Sequence, residues 1–259
     1  MRIQSIERAI GILNLFKANR SSLSLAEIAS GMGIAKTTIH TILKTLEYNG
    51  FLRQDIYTKK YSLGFALFEL GALQATNMRI NRNSSKPLHV LANESNSCCR
   101  LAIWDADTVF ITLTVFPQGL DNQSRQLGPR IPAYCTGLGK AILAHLPDER
   151  IALYLDKTEL SPYTKYTITD RNDLMKDLKD TKLRGYSISN RETLLHQIGV
   201  AAPIFDEAGN IIAAASIELN PEETDEERIE KSATRLLRAT HEISTEMGYQ
   251  PLSILPDIG

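Results

Sequence analysis

S-L-A-E-I-A-S-G-M-G-I-A-K-T-T-I-H-T-I-L-K-T-L-E-Y-N, residues 24–49, decides how this chain is read. It describes two short helices with a glycine-bearing break between them. Ser24 can cap the first, and Glu27, three residues on, completes a capping box. Leu25 and Ile28 recur at helical spacing and face inward. Gly31 and Gly33 flank Met32, where the chain must turn, and glycine tolerates the positive φ such a turn often needs. The second helix starts near Lys36, with Ile39, Ile42, Leu43 and Leu46 as its apolar stripe. Lys36, Thr37, Thr38, His40, Thr41, Lys44 and Thr45 are left facing out, and no acid appears before Glu47. Short hydroxyls and amines at a helix N-terminus suit the DNA major groove, where they reach phosphates and base edges. Two amphipathic helices joined by a glycine turn also occur in helical bundles, so the flanks decide.

Gly50 closes the second helix as a C′ glycine. Residues 51–54 (F-L-R-Q) and 60–63 (K-Y-S-L) then read as two short strands around 55–59. A helix-turn-helix followed at once by a hairpin is a winged helix. Arg53, Lys59 and Lys60 put positive charge on the expected wing. Upstream, residues 4–17 are expected to be a helix with Ile6, Ile10, Leu13 and Phe16 inward, and 19–24 a polar loop. Downstream, 64–79 (G-F-A-L-F-E-L-G-A-L-Q-A-T-N-M-R) is helical and too apolar for an isolated linker. Either it packs against both domains or it pairs with its copy in a second subunit; the second is favoured, because two-fold symmetry would match a palindromic operator.

The chain has 259 residues, 43% of them hydrophobic, a length and composition that suit two globular domains. No run of about 18 apolar residues exists, so no membrane span is expected. The N-terminus lacks a secretory apolar core, and three cysteines form neither a disulfide framework nor a zinc spacing. The expected location is cytoplasmic, with no cofactor and no metal. Net charge is −1, but residues 1–82 hold 11 Lys and Arg against 5 Asp and Glu, and the remainder 18 against 25. A basic N-terminal module on an acidic body is expected when one end meets nucleic acid.

Beyond residue 84 strands and helices mix. Strands are expected at 98–103 and 109–115 around D-A-D, at 186–189, and at 200–205 and 211–219 around D-E-A-G-N; 125–128 is a further candidate. Helices are expected at 87–93, 137–146, 149–155, 172–183 and 224–247, the last capped by Thr224 with Glu227 at the capping-box position. This pattern means an α+β domain with a mostly antiparallel sheet. The expected domains are 1–63, a winged helix-turn-helix; 64–83, a linker helix across a polar boundary at 77–85; and 84–259, this α+β domain.

Several stretches in order resemble the IclR family of bacterial transcriptional regulators: S-I-E-R-A-I-G-I-L at 5–13, L-A-E-I-A-S-G-M-G-I-A-K-T-T-I-H at 25–40, K-Y-S-L-G at 60–64, R-I-P-A-Y-C-T-G-L-G-K-A-I-L-A at 130–144, T-I-T-D at 167–170, R-G-Y-S at 184–187 and V-A-A-P-I-F-D at 200–206. The resemblance implies a winged helix joined by a helix to a GAF-like effector domain. It implies a homodimer or homotetramer on double-stranded operator DNA, with a small organic or sugar acid as effector. It implies a regulator of transcription, for which the reading here prefers a repressor. The chain departs from the family's pattern at Tyr134, where histidine is usual, at 193–199, and at Glu218, where a small residue is common.

The DNA-contacting set is read as Lys36, Thr37, Thr38, His40 and Thr41 with Lys44, Lys59 and Lys60. The resemblance implies effector contact at Gly137, Leu138, Ser189, Glu192, Gln197, Ser216 and Glu218, which lie on the turn, strands and loop the family uses for it, and Arg100 and Arg125 are read as candidate partners of an effector carboxylate. Gly137-Leu138-Gly139-Lys140 is no phosphate loop, because such a loop needs Gly at 134 and Ser or Thr at 141. Arg100 alternates with Leu101 in C-C-R-L-A-I-W. It is either an ordinary exposed arginine or a bidentate clamp for an effector carboxylate. Two other functions stay open at this point: a metabolite sensor without DNA binding, and an enzyme with Cys135 as nucleophile, for which nothing fixes a nearby histidine.

Overall fold

A computed structural model of the chain describes residues 2–17, 19–119 and 129–250. The chain divides into two compact units, Met1–Asn77 and Met78–Gly259.

In the first unit, α1 (Gln4–Leu13) precedes a short strand, β1 (Ser22–Leu23), then α2 (Leu25–Met32), α3 (Lys36–Tyr48), β2 (Leu52–Gln54), β3 (Tyr61–Leu63) and α4 (Phe65–Asn77). Ser24 and Glu27 form the reciprocal capping box expected of them, the Ser24 amide donating to Glu27 Oε2 at 2.8 Å. Gly33 adopts φ +64°, the left-handed turn that ends α2 and re-aims the chain into α3. Ile12, Leu23, Ile28, Ile39, Leu43, Leu52 and Tyr61 make the core.

Two expectations fail here. Helix α1 stops at Leu13, and Ile6 and Ile10 are 54% and 53% exposed, so its buried side is carried by Ile12 rather than by them. The pattern 3, 6, 10 is a true helical stripe, but it faces away from the unit's own core. The loop at 19–24 also holds β1, whose Leu23 pairs with Tyr61 to make a three-stranded sheet in the order β1-β3-β2.

The second unit opens with α5 (Arg79–Ser95), so the polar stretch 79–85 is helical. Pro87 lies inside that helix; burial of Ile80, Leu88, Leu91 and Ala92 offsets the backbone bond it removes. Six antiparallel strands follow among the described residues: β4 (Cys99–Asp105), β5 (Thr108–Val115), β6 (Arg130–Ile131), β7 (Ser187–Asn190), β8 (Ile198–Phe205) and β9 (Ile211–Leu219). Their order is β6-β5-β4-β9-β8-β7. The candidate strand at 125–128 lies outside the described residues. Between β6 and β7 run α6 (Gly137–Leu143), α7 (Asp148–Lys157) and α8 (Arg171–Arg184), and α9 (Glu226–Glu246) ends the domain. The cap of α9 is Asp225, whose carboxylate accepts from the Arg228 amide at 2.8 Å, rather than Thr224. Thr224 donates its hydroxyl to the Asn220 carbonyl one turn too early.

Both faces of the sheet are covered, which is why the strands read as near-continuous apolar runs. Cys99, Leu101, Ala213, Ala215 and Ile217 pack against α5 and α9. Ala102, Ala201 and Ala214 pack beneath α6, α7 and α8. Alanines on that second face let α6 approach closely, and all seven residues of α6 are buried.

Candidate functional site

The exposed side of α3 begins where the α2–α3 turn ends. Lys36, Thr37, His40 and Thr41 are exposed, whereas Thr38 is half-buried, because it adjoins the Ile39 stripe. Thr41 already donates its hydroxyl to the Thr37 carbonyl at 3.2 Å, which leaves its lone pairs outward. Lys44 pairs with Glu47 at 2.8 Å, and that hydrogen bond raises its pKa. Part of its charge is thus already met within the chain. The wing turn is organised by Asp55, whose Oδ1 accepts from the Tyr57 and Thr58 amides at 3.1 and 2.7 Å. Those bonds hold its carboxyl below the usual range. Lys59 follows at φ +57°, and Lys59 and Lys60 stand exposed at the tip. Arg53 is held back, bonded to Ser62 Oγ at 2.9 Å and lying over the Phe65 ring at 5.7 Å.

The second site lies under α6. Strand register builds its floor: Ser187, Ala201, Ser216, Arg100 and Thr114 lie in one row across β7, β8, β9, β4 and β5. The adjacent row is Ser189, Gly199 and Glu218. Arg100 and Glu218 therefore rise from neighbouring rows of the same face, beside a residue with no side chain. They form an ion pair. Together with Ile131, Thr136, Gly137, Leu138, Ser189, Thr193, Leu194, Gln197 and Ser216 they line a cavity of about 440 Å³, open mouth included.

Arg100 is 3% exposed, so the exposed-arginine reading fails. The alternation argument placed it correctly opposite Leu101, but the opposite face is roofed by α6 instead of facing water. Burial pushes its pKa down, from a value high enough that it stays charged.

Gly137, Leu138, Ser189, Gln197, Ser216 and Glu218 join Arg100 at one cavity. Arg125 lies outside the described residues. Glu192 does not line the cavity; its side chain turns beneath the 190–197 loop to meet Lys140 Nζ at 2.6 Å. Lys140, 1% exposed, also meets Asp177 of α8 at 2.9 Å. Burial raises the Glu192 pKa, against the pull of Lys140. This pair fixes the cavity's loop from below, while Thr167 Oγ1 and Thr193 Oγ1 donate to the carbonyls of Glu192 and Cys135 at 2.6 and 2.9 Å.

Sequence reasoning missed Lys140 and Asp177. A lone lysine inside G-L-G-K-A-I-L-A signalled a buried charge in need of a partner, but its partners are 37 and 52 residues away in sequence. Helix α6 lies close against β8 at Gly137, where a Cβ would come within 2.9 Å of the Gly199 carbonyl oxygen, and the chain entering the helix folds tightly over Gly139, where a Cβ would come within 2.3 Å of Ala133 Cα. Cys135 is buried, and burial foremost pushes its thiol up to about 12, which is opposite to what a nucleophile needs. Among the described residues, no helix is long and apolar enough to cross a membrane.

Residues 72–245 match the family described as "Bacterial transcriptional regulator IclR C-terminal", and residues 5–55 match "IclR helix-turn-helix domain". The chain is 29% identical over 248 residues to the HTH-type transcriptional regulator XynR of Escherichia coli K12, covering 95% of this chain and 98% of that one. The Thermotoga maritima IclR crystal structure superposes with a TM-score of 0.78 at 27% identity, over 96% of this chain and 100% of that one. An IclR homologue from Microbacterium hydrocarbonoxydans, solved in complex with 4-hydroxybenzoate, shares the fold with a TM-score of 0.81 at 22% identity, over 94% and 98%. With both of its units matched in order and a helix-turn-helix built as described, the chain belongs to the IclR family of bacterial transcriptional regulators and is a DNA-binding regulator of transcription.

Proposed function

We propose that this chain is a repressor whose hold on operator DNA is set by a small carboxylate, a sugar acid or other organic acid, bound in the cavity under α6. One observation carries the reading: a buried arginine, Arg100, stands in the wall of a cavity whose other polar groups are hydroxyls, the Gln197 amide and the Glu218 carboxylate, set among apolar side chains such as Ile131 and Leu194. Arginine offers two parallel donors to a carboxylate, and a desolvated site strengthens that contact. Ser189, Ser216 and Gln197 add groups suited to hydroxyls, and Gly137 and Leu138 bring backbone to the same wall. The 4-hydroxybenzoate held by the Microbacterium homologue is likewise a carboxylate.

Lys36, Lys44, Lys59 and Lys60 would take phosphates, and Thr37, Thr38, His40 and Thr41 would meet bases. The protein would work as a homodimer or homotetramer. Ile3 at the N-cap of α1, Ile6 and Ile10 on that helix, and Phe65, Phe68, Leu70 and Leu73 on α4 are exposed, apolar side chains that a second copy would cover. A cysteine-dependent reaction is disfavoured, since the Cys135 thiol is buried and held protonated.

The test is thermal unfolding of the full chain against a panel of organic and sugar acids, repeated with Arg100→Met. The reading requires at least one acid to raise the melting temperature of the wild type and to lose that effect in the variant. An acid that stabilises both proteins equally would place its site elsewhere.

A further inference from the structure

Arg100 does not wait for its ligand with a free charge. Glu218 already sits on it, both groups projecting from one face of the sheet into the same cavity. The Glu218 backbone is fixed, its amide donating to the Cys98 carbonyl at 2.9 Å. Its side chain is 15% exposed and stands next to Gly199, so the carboxylate has room to move while the guanidinium, at 4%, has little. Any carboxylate that reaches Arg100 must therefore share it with a second carboxylate already there. Two like charges on one guanidinium in a desolvated site repel, and one of them loses its partner.

A hydroxyl on the ligand changes the balance. It donates to Glu218, which is an acceptor only, so Glu218 keeps a partner when the incoming carboxylate takes part of Arg100. A site arranged to accept from a ligand hydroxyl rejects the analogue that lacks it, because its own polar group is left unpaired.

We propose that Glu218 is the specificity-determining residue of this cavity: it occupies the position on Arg100 that a plain carboxylate would take, and it admits acids that carry a hydroxyl beside the carboxylate. The inference rests on the reading of this cavity as the effector site. It assigns the effector class as 2-hydroxy acids, sugar acids among them, and excludes unsubstituted aliphatic acids.

Matched pairs test it. Dissociation constants of the full-length protein are measured by calorimetry for gluconate against hexanoate, glycerate against propanoate, and lactate against propanoate. The same is done for Glu218→Gln, for Glu218→Ser as a smaller neutral replacement, and for Arg100→Met. The expected wild type prefers the hydroxylated member of at least one pair by tenfold or more. Both Glu218 variants should narrow that ratio about tenfold, chiefly by tighter binding of the plain acid, and Arg100→Met should bind neither. If Arg100→Met loses binding but the Glu218 variants keep the wild-type ratio, the cavity is the effector site and Glu218 does not select. If no acid in the panel binds the wild type or either Glu218 variant, the carboxylate reading and this inference fall together.

Discussion

Lys140 shows what a single buried charge does here. It neutralises Glu192 and Asp177 at once, from inside a helix with no exposed residue. Replacing it with methionine strands the buried Glu192 carboxylate and leaves Asp177 only Arg184, 4.0 Å away, and the loss expected in denaturant unfolding is about 3–5 kcal/mol. Glu192→Gln should cost less, because Lys140 keeps Asp177. His145 gives the domain a dependence on pH. Its Nδ1 lies 2.9 Å from the Ala141 carbonyl and so carries the proton, and burial foremost holds its pKa below the ordinary value. The fold thus favours the neutral ring. That contribution is whole above about pH 6.5 and is lost as pH falls through the depressed value. Glu192 works in the other sense: its raised value makes its contribution whole below the ordinary glutamate range and lost as pH rises through the folded value. Unfolding midpoints between pH 7.5 and 5 should therefore fall less in His145→Gln than in wild type, and more in Glu192→Gln. Parallel profiles for all three proteins would contradict both assignments. None of this was legible in sequence, because each effect depends on burial or on a partner distant in the chain. Arg100 was half legible: alternation gave its face, and only the roof of α6 made that face an interior.

At the level of elements, α2 and α3 were readable nearly to the residue, because their signals are local: the Ser24–Glu27 box, Gly33 and the Ile39–Leu43 stripe. Failures came where a partner decided the outcome. Strand β1 exists because Leu23 pairs with Tyr61, 38 positions later. Helix α1 presents a regular stripe of isoleucines that its own core does not use. The proposed DNA contacts at this scale lie on α3 and the wing. Lys36→Ala and Lys60→Ala should each weaken DNA binding on every sequence and flatten the slope of log affinity against log salt by about 0.9 per lost phosphate contact. Thr41→Ala should instead relax discrimination, by about 1–3 kcal/mol at the base it reads. Mobility shifts on operator and scrambled DNA at several salt concentrations separate the two behaviours. Unchanged binding in all three variants would remove α3 and the wing from the interface.

Across the whole molecule, charge is divided in a way that the sequence announced, whereas the exposed apolar side of α1 was not. Residues 1–82 carry the excess of Lys and Arg, and the remainder the excess of Asp and Glu. The exposed isoleucines of α1 and the aromatic and leucine side chains of α4 lie in the same unit as the basic surface. If they pair two copies, Phe68→Glu with Leu73→Glu should yield monomers at micromolar concentration by sedimentation and lower operator affinity, while each unit stays folded. A regulator also obeys linkage: whatever factor an effector takes from operator affinity, the operator must take from effector affinity. The most direct test of the account is to incubate the full chain with sheared DNA from its source genome, recover what is bound at moderate salt and sequence it, with and without pooled 2-hydroxy acids. The account predicts enrichment of one or a few palindromic sites, reduced by the acids and abolished by Lys36→Ala combined with Lys60→Ala. Failure to enrich any site under either condition would contradict it.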